Sequence, residues 1–498
     1  GQGARTTVAI TLLVRHPGRT GRAVVRYRDI GDYLTREQKL DIIAAGDLHS
    51  VDWQAIAPND AGDWINQRTL GFGTYTAITS KDPRERAIFR VNSGGLKTNR
   101  DAWVYSFSRT ALGANVTRMV DFYNTQVDDF RATCEREGIR DPKAHVDAFI
   151  NLDPTRFSWD RADKPRLARG AHYTSERSSY RVAVYRPFSK QAVYFDRILN
   201  NTVYQLPSIF PKPMHANHGI YITGVSSPTA FAAVAVDAVP DVQLLGNGQF
   251  LPRWTYEPVE LADTQGAFDL NDGRVDIVAG YRRVDNITDE ALAEHRTAFG
   301  PDVTRDDVFY YVYGLLHSPD YRTTFAADLK KMLPRIPRVP SVEDFCAFAA
   351  AGRELATLHI GYESVTAYPL RITGEPGPGV VGQGLYDWYR VEKMRFGGAG
   401  KAKDRSTVVY NSRVTVAGIP EEAYEYLLGS RSAIEWILER YQVKTDKASG
   451  IVNDPNDWAA EVGDPRYILD LLARIVTVSV ETVRIVKSLP PIDFSQVS

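Results

Sequence analysis

Apolar residues recur at helical spacing through residues 116–137, where Val116, Met119, Val120, Tyr123, Val127, Phe130 and Cys134 share one face and Gly138 supplies a stop. That pattern predicts an amphipathic helix with one face in a core. The same period predicts a helix over 33–45, ended by Gly46, and helical segments over 306–333, interrupted at Ser318-Pro319 and closed by Pro334, Pro337 and Pro340. Ser341 followed by Asp344 resembles a capping box, and Phe345, Phe348, Leu355 and Leu358 continue a helical face behind it. Two further helices are predicted over 421–441 and from about 467 to 487. Short apolar runs predict strands at 6–14 and 23–27, joined as a hairpin through the breaker-rich turn 16–21. More strands are expected at 182–185, 192–195, 219–223, 230–236 and 407–416, so 165–260 reads as a β-rich region with irregular loops. The fold class is α+β, a mixed module of several subdomains.

A chain of 498 residues exceeds one ordinary core, and two to four domains are expected at ~100–200 residues each. No apolar run reaches the ~18 residues of a membrane span. Cys134 and Cys346 have no Cys-x-x-Cys spacing, which argues against a disulfide or cysteine-rich zinc framework and fits a reducing cytoplasm. The chain opens at Gly1-Gln2-Gly3 and enters an apolar run almost at once, which reads as a piece of a longer polypeptide.

Net charge is −1, but it is unevenly spread. Residues 161–205 hold nine Lys/Arg against three acids and residues 390–413 hold seven against two, while 90–110 and 328–340 are also basic. Between 257 and 307, thirteen acids face five bases. Such a chain can present a basic face to a polyanion and stay soluble, because screening confines each field to about 8–10 Å.

Motifs for chemistry are absent or broken. Asp153-Pro154-Thr155-Arg156 and Asn453-Asp454-Pro455-Asn456 both miss the Asp/Asn-Pro-Pro-aromatic pattern that holds a target adenine amino group. In Phe396-Gly397-Gly398-Ala399-Gly400-Lys401 the first phosphate-loop glycine falls on Arg395 and the closing Ser/Thr on Ala402. Glu37 and Lys39 lie in a predicted helix, and His215 and His218 form a close pair without a third ligand in view. No catalytic or metal-binding residue is assigned, and no cofactor is expected in this chain. A metal-dependent nuclease or hydrolase using those residues remains one alternative. A structural coupling module, docking neighbours through the 421–441 and 467–487 helices without touching DNA, is another.

Two stretches combine cations with aromatics. Gly95-Leu96-Lys97-Thr98-Asn99-Arg100-Asp101-Ala102-Trp103-Val104-Tyr105 reads as a basic, amide-bearing turn running into an aromatic strand, with glycines that allow a partner to approach closely. The segment 177–197 places Arg177, Arg181, Arg186, Lys190 and Arg197 among Tyr180, Tyr185, Phe188, Tyr194 and Phe195. With Tyr310–Pro319, Leu333–Pro337 and Ser432–Lys447, these segments resemble the C-terminal specificity region of Type ISP restriction-modification enzymes. The resemblance spans roughly residues 1–490.

It implies sequence-specific binding of double-stranded DNA and no chemistry in this chain. Family members carry a nuclease, a helicase-type translocase, a coupler, an N6-adenine methyltransferase and a target recognition domain in that order, so the upstream domains would be partners within one polypeptide. S-adenosylmethionine, ATP and Mg would belong to those domains, which would methylate adenine and cleave DNA at the expense of ATP. On this analogy residues 1–30 are the terminal strands of a Rossmann-like methyltransferase and 31–160 an α/β connecting subdomain. Residues 161–340 would be the target recognition domain and 341–498 a helical C-terminal subdomain. The implied DNA contacts are Lys97, Asn99, Arg100, Arg177, Arg181, Arg186, Lys190 and Arg197, with a second cluster at Lys393, Arg395, Lys401, Lys403 and Arg405. Base edges would be read by Asn, Gln or Arg on loops between about 200 and 260 or at 95–101.

Overall fold

Strand Val25–Tyr27 pairs antiparallel with Gln54–Ile56, bringing together segments on either side of a helix, Arg36–Ala45. These elements belong to the first of two units in a computed structural model, residues 1–68, and the second comprises residues 69–498. The structure describes residues 9–15, 17, 18, 20, 21, 23–31, 34–259, 277–399 and 402–495. The helix expected over 33–45 begins at Arg36, with Thr35 accepting from the Gln38 N–H and the Thr35 N–H donating to the Gln38 side-chain oxygen, and residue 33 lies outside the described residues. The hairpin expected between 6–14 and 23–27 is replaced by the pairing with 54–56. Residues 6–8 of that expected strand lie outside the described residues, and 9–14 are not in a strand. Ile10, Leu12, Leu13 and Val14 are exposed, and a two-stranded ribbon with no face to bury gains little from pairing.

In the second unit the long helix Arg109–Glu137 is capped by Ser108 and stopped by left-handed Gly138, and it buries Leu112, Val116, Met119, Val120, Tyr123, Val127 and Phe130. These residues join a large core with the apolar face of helix Tyr467–Lys487. A second core forms between helices Arg305–Leu315 and Val342–Ile360, the latter capped by Ser341 as its sequence suggested.

Two sheets matter for function. One runs Ala233–Val236, Gly219–Ile222, Gln249–Pro252, Ser93–Gly94 in order. The other runs Val239–Pro240, Tyr180–Arg186, Ser189–Tyr194, Tyr105–Ser106. Apolar runs such as 219–222 and 233–236 are buried at every position, which suits strands covered on both faces. Residues 93–106 supply an edge strand to each sheet, so the intervening loop crosses from one to the other. Both sheets therefore combine residues on either side of position 160.

Three local expectations change. The approach to Tyr105 is a helical turn, Asp101–Val104, before the short strand Tyr105–Ser106. The helix expected over 421–441 is divided: Gly429 is left-handed in a turn between Leu427–Leu428 and Arg431–Ser432, and Ser432 with Glu435 then caps a new helix, Ala433–Arg440. The C-terminal part also contains a four-stranded sheet in the order Arg371–Thr373, Thr415–Ala417, Ala402–Val409, Arg395–Ala399, and is thus mixed rather than helical. Among the described residues no helix is long and apolar enough to cross a membrane.

Candidate functional site

The loop after Gly94 is held on both flanks by backbone hydrogen bonds. On one side the Lys97 N–H donates to the Thr202 carbonyl at 3.0 Å, and the Thr202 N–H donates back at 2.9 Å. On the other, the Leu96 N–H donates to Pro240 at 2.7 Å and the Val242 N–H to Leu96 at 3.0 Å. The Gln205 N–H reaches Ser93 Oγ, and the Asn92 amide reaches Gln249 Oε1. Residues 201–205, 92–99 and 240–249 therefore lie side by side. Gly95 is what lets the strips close up, because a Cβ there would sit 2.5 Å from the Asp241 carbonyl. The close partner of this glycine is thus internal backbone.

Lys97, Asn99, Tyr204, Gln205, Gln243 and Asn247 are exposed along these strips. Asn99, Tyr204 and Asn247 hold left-handed backbone, with φ of 58°, 46° and 50°. Conformations of this kind cost about 1–3 kcal/mol in a non-glycine residue and collect at functional loops. The surface continues past Gly224, which lies against the Asn247 carbonyl, to Thr229, which lies against Gly429 in the turn before Arg431.

Beyond that turn stands a group of cations. Burial lowers the pKa of the Lys444 ammonium, and Arg440, Arg186 and Arg431 lower it further, against the opposing pull of Glu439. Lys393 adjoins it through a bridge to Gln442. The Gly246-Asn247-Gly248 turn and the basic residues of 431–444 were legible as residue types, but nothing local to either shows which distant segments it packs against.

The other sequence-derived candidates separate by burial. Arg100 is internal: its side chain is 2 % exposed and its Nη2 donates to Asp163 Oδ2 at 2.6 Å, with the Phe157 ring nearby. Arg186 pairs with Asp241 at 2.7 Å and lies over the Tyr185 ring. Lys190 is shared by Asp237 and Glu363, at 3.2 and 3.3 Å. Arg181 donates to the carbonyls of Ser178 and Pro211. These four cations are committed to the protein itself. Asn99 donates weakly to Asp160 Oδ1 at 3.5 Å, and Asn201 donates to the other oxygen of the same carboxylate at 2.6 Å. Arg177 and Arg197 are exposed near the open end of the hairpin formed by 180–186 and 189–194, and Arg197 shortly precedes the 201–205 strip.

Arg395, Lys403 and Arg405 are exposed on the hairpin Arg395–Ala399/Ala402–Val409, where Arg405 packs 4.0 Å over Tyr424 and pairs with Glu435 at 3.4 Å. Lys401 lies outside the described residues.

Asp241 ties the two halves of the surface together, accepting from Arg186 and from the Gln243 N–H. Burial pushes its pKa up to about 6 despite the opposing pull of Arg186, and Asp101 adds to the rise.

The residues of the rival readings are placed elsewhere. Glu37 and Lys39 are exposed on helix Arg36–Ala45. The His215 ring bonds the Val278 carbonyl, whereas His218 packs against Phe309. Among the described residues no three His, Cys, Asp or Glu side chains group as metal ligands would. Helices Ala433–Arg440 and Tyr467–Lys487 turn their apolar faces inward, which leaves little there for docking.

Among the solved structures that share this fold are three at 31–35 % sequence identity. A nuclease-deletion mutant of the Type ISP restriction-modification enzyme LlaGI in complex with a DNA substrate mimic has a TM-score of 0.79 and 35 % identity, over 95 % of this chain and 40 % of that one. The ATP-dependent Type ISP restriction-modification enzyme LlaBIII bound to DNA has a TM-score of 0.78 and 31 % identity, over 96 % of this chain and 28 % of that one. The DrdV–DNA complex, studied by electron cryomicroscopy, has a TM-score of 0.76 and 32 % identity, over 94 % and 43 %. The chain thus spans well under half of each. No curated protein matches it. The family model for the Type ISP C-terminal specificity domain matches residues 87–471, and with that match covering most of its length this chain belongs to the Type ISP C-terminal specificity domain family.

Proposed function

We propose that this chain is the DNA target-recognition module of a restriction-modification enzyme, and that duplex DNA lies along the surface built by 92–99, 201–205 and 240–249. The observation that carries this reading is the loop at Lys97 and Asn99, pinned between two sheets with amides exposed on the strip beyond it. The relatives imaged with DNA support it. Phosphates would be gripped by Lys97 and Arg197 and by the exposed Lys444 and Lys393, with Arg177 beside Arg197, whereas Arg431 and Arg440 are paired with Glu439. Exposed amides would meet base edges. Arg100, Arg181, Arg186 and Lys190 brace this surface from within. Adenine methylation and ATP-driven translocation and cleavage, with S-adenosylmethionine, ATP and Mg, are assigned to other domains of such a polypeptide, acting in the cytoplasm.

The test is equilibrium binding to duplex DNA between about 50 and 200 mM salt. Affinity of the full chain is expected to fall with a log–log slope near −0.9 per neutralised phosphate, and Lys97→Ala to make that slope shallower by about 0.9 on every sequence. Binding that ignores salt, or no binding at low ionic strength, refutes the reading.

A further inference from the structure

We infer that Gln243 and Asn247 act as one unit that reads an adenine on its major-groove edge. The inference rests on the DNA-recognition reading and adds a base identity to it. Gln243 Nε2 donates to Asn247 Oδ1 at 2.8 Å, and both side chains are exposed. A primary amide has one acceptor oxygen and two N–H donors. The internal bond uses one donor of Gln243 and one of the two lone pairs of the Asn247 oxygen. It leaves the Gln243 carbonyl oxygen and the Asn247 NH2 group available to a ligand. Adenine presents the complement, an N6 amino donor beside the N7 acceptor. Guanine presents two acceptors at N7 and O6, so one would face the Gln243 oxygen and leave both unpaired.

The geometry is set before any ligand arrives. The Gln243 N–H is bonded to Asp241 Oδ1, which also takes Arg186 Nη1 at 2.7 Å. Tyr221 Oη, on a buried strand, donates to the Val242 carbonyl at 2.9 Å. Leu244 and Leu245 root the turn in the core. Asn247 is left-handed, and its carbonyl lies where a Cβ on Gly224 would stand, only 2.2 Å away. A turn fixed on its internal side can present side chains at little further entropic cost. The pair itself does little for stability, since an exposed amide–amide bond merely replaces bonds to water. Placement completes the argument: Val242 is bonded to Leu96, so Lys97, the phosphate contact of the proposed reading, follows directly beside Gln243.

The experiment selects duplexes from a pool with a randomised core, using the full chain as wild type and as Gln243→Ala, Asn247→Ala and Gln243→Glu. Single-base-pair competition then follows on the recovered sequence. The wild type is expected to hold one A·T pair by roughly tenfold or more over G·C. All three variants are expected to lose most of that preference at this one pair, while keeping the melting temperature, the other positions and the salt slope. Gln243→Glu matters because it preserves side-chain size but has no N–H to give Asn247. The inference is overturned if the variants keep every wild-type preference, if affinity falls equally for all sequences, or if the released pair is G·C. A wild type that selects a sequence while the variants change nothing sinks only this inference. A wild type that binds no duplex sinks the proposed function with it.

Discussion

Replacing Arg100 by methionine separates two cations that lie three positions apart and have opposite surroundings. Asp163 accepts from Arg100 Nη2 at 2.6 Å, from Tyr173 Oη at 2.5 Å and from the Asp160 N–H at 2.6 Å. Its side chain is 1 % exposed and that of Arg100 is 2 % exposed. Methionine keeps the bulk but leaves a buried carboxylate without its counter-charge, a loss of about 3–5 kcal/mol. The unit containing the pair has about 430 residues, so at about 2.1 cal/mol/K per residue its unfolding entropy near the midpoint is about 0.9 kcal/mol/K. The melting temperature should therefore drop by about 3–6 °C in scanning calorimetry at neutral pH. Adding Asp163→Leu should recover part of the loss, because removing both charges costs less than stranding one. The salt slope of DNA binding should stay at its wild-type value, since this guanidinium meets no solvent. A drop below about 1 °C would place the pair among weak surface bridges and refute the reasoning, as would a slope made shallower by about 0.9.

Gly95→Ala places a methyl 2.5 Å from the Asp241 carbonyl, so the strips must part. The expected cost is about 1–3 kcal/mol in chemical denaturation, accompanied by weaker DNA binding as Lys97 is displaced. Asp241 supplies a pH test. With its folded pKa pushed up to about 6, by burial first, the folded state holds that proton more tightly than the unfolded chain. Its contribution to stability is complete below about pH 4 and is lost as pH rises through 6, about 3 kcal/mol over the window. Measured from pH 4 to 7, the melting temperature of the wild type should fall relative to that of Asp241→Asn, and parallel profiles would contradict the assignment.

Much of the architecture was legible along the chain because it depends on local chemistry. The 116–137 stripe, the Ser341 cap and the C-terminal helix are written in neighbouring residues, and all of them form. The 421–441 helix was misread because apolar spacing continues through Gly429, where a left-handed turn and the Ser432 cap begin a new element. The hairpin at 6–14 was misread because adjacent apolar runs suggest pairing whether or not a sheet face exists to bury them.

Residue types, charge windows and family likeness were available from the chain itself. Which cations are free was not. Lys97 faces solvent and Arg100 the interior because segments far away in sequence, around 163 and 202, pack against one loop. Gln243 comes beside Lys97 only through the backbone rung between Leu96 and Val242. Periodicity is set by bonds within a few residues, whereas burial and neighbourhood are set by contacts across sixty residues or more, such as Arg100 with Asp163, and it is the latter that decide whether a charge braces the protein or remains available to DNA.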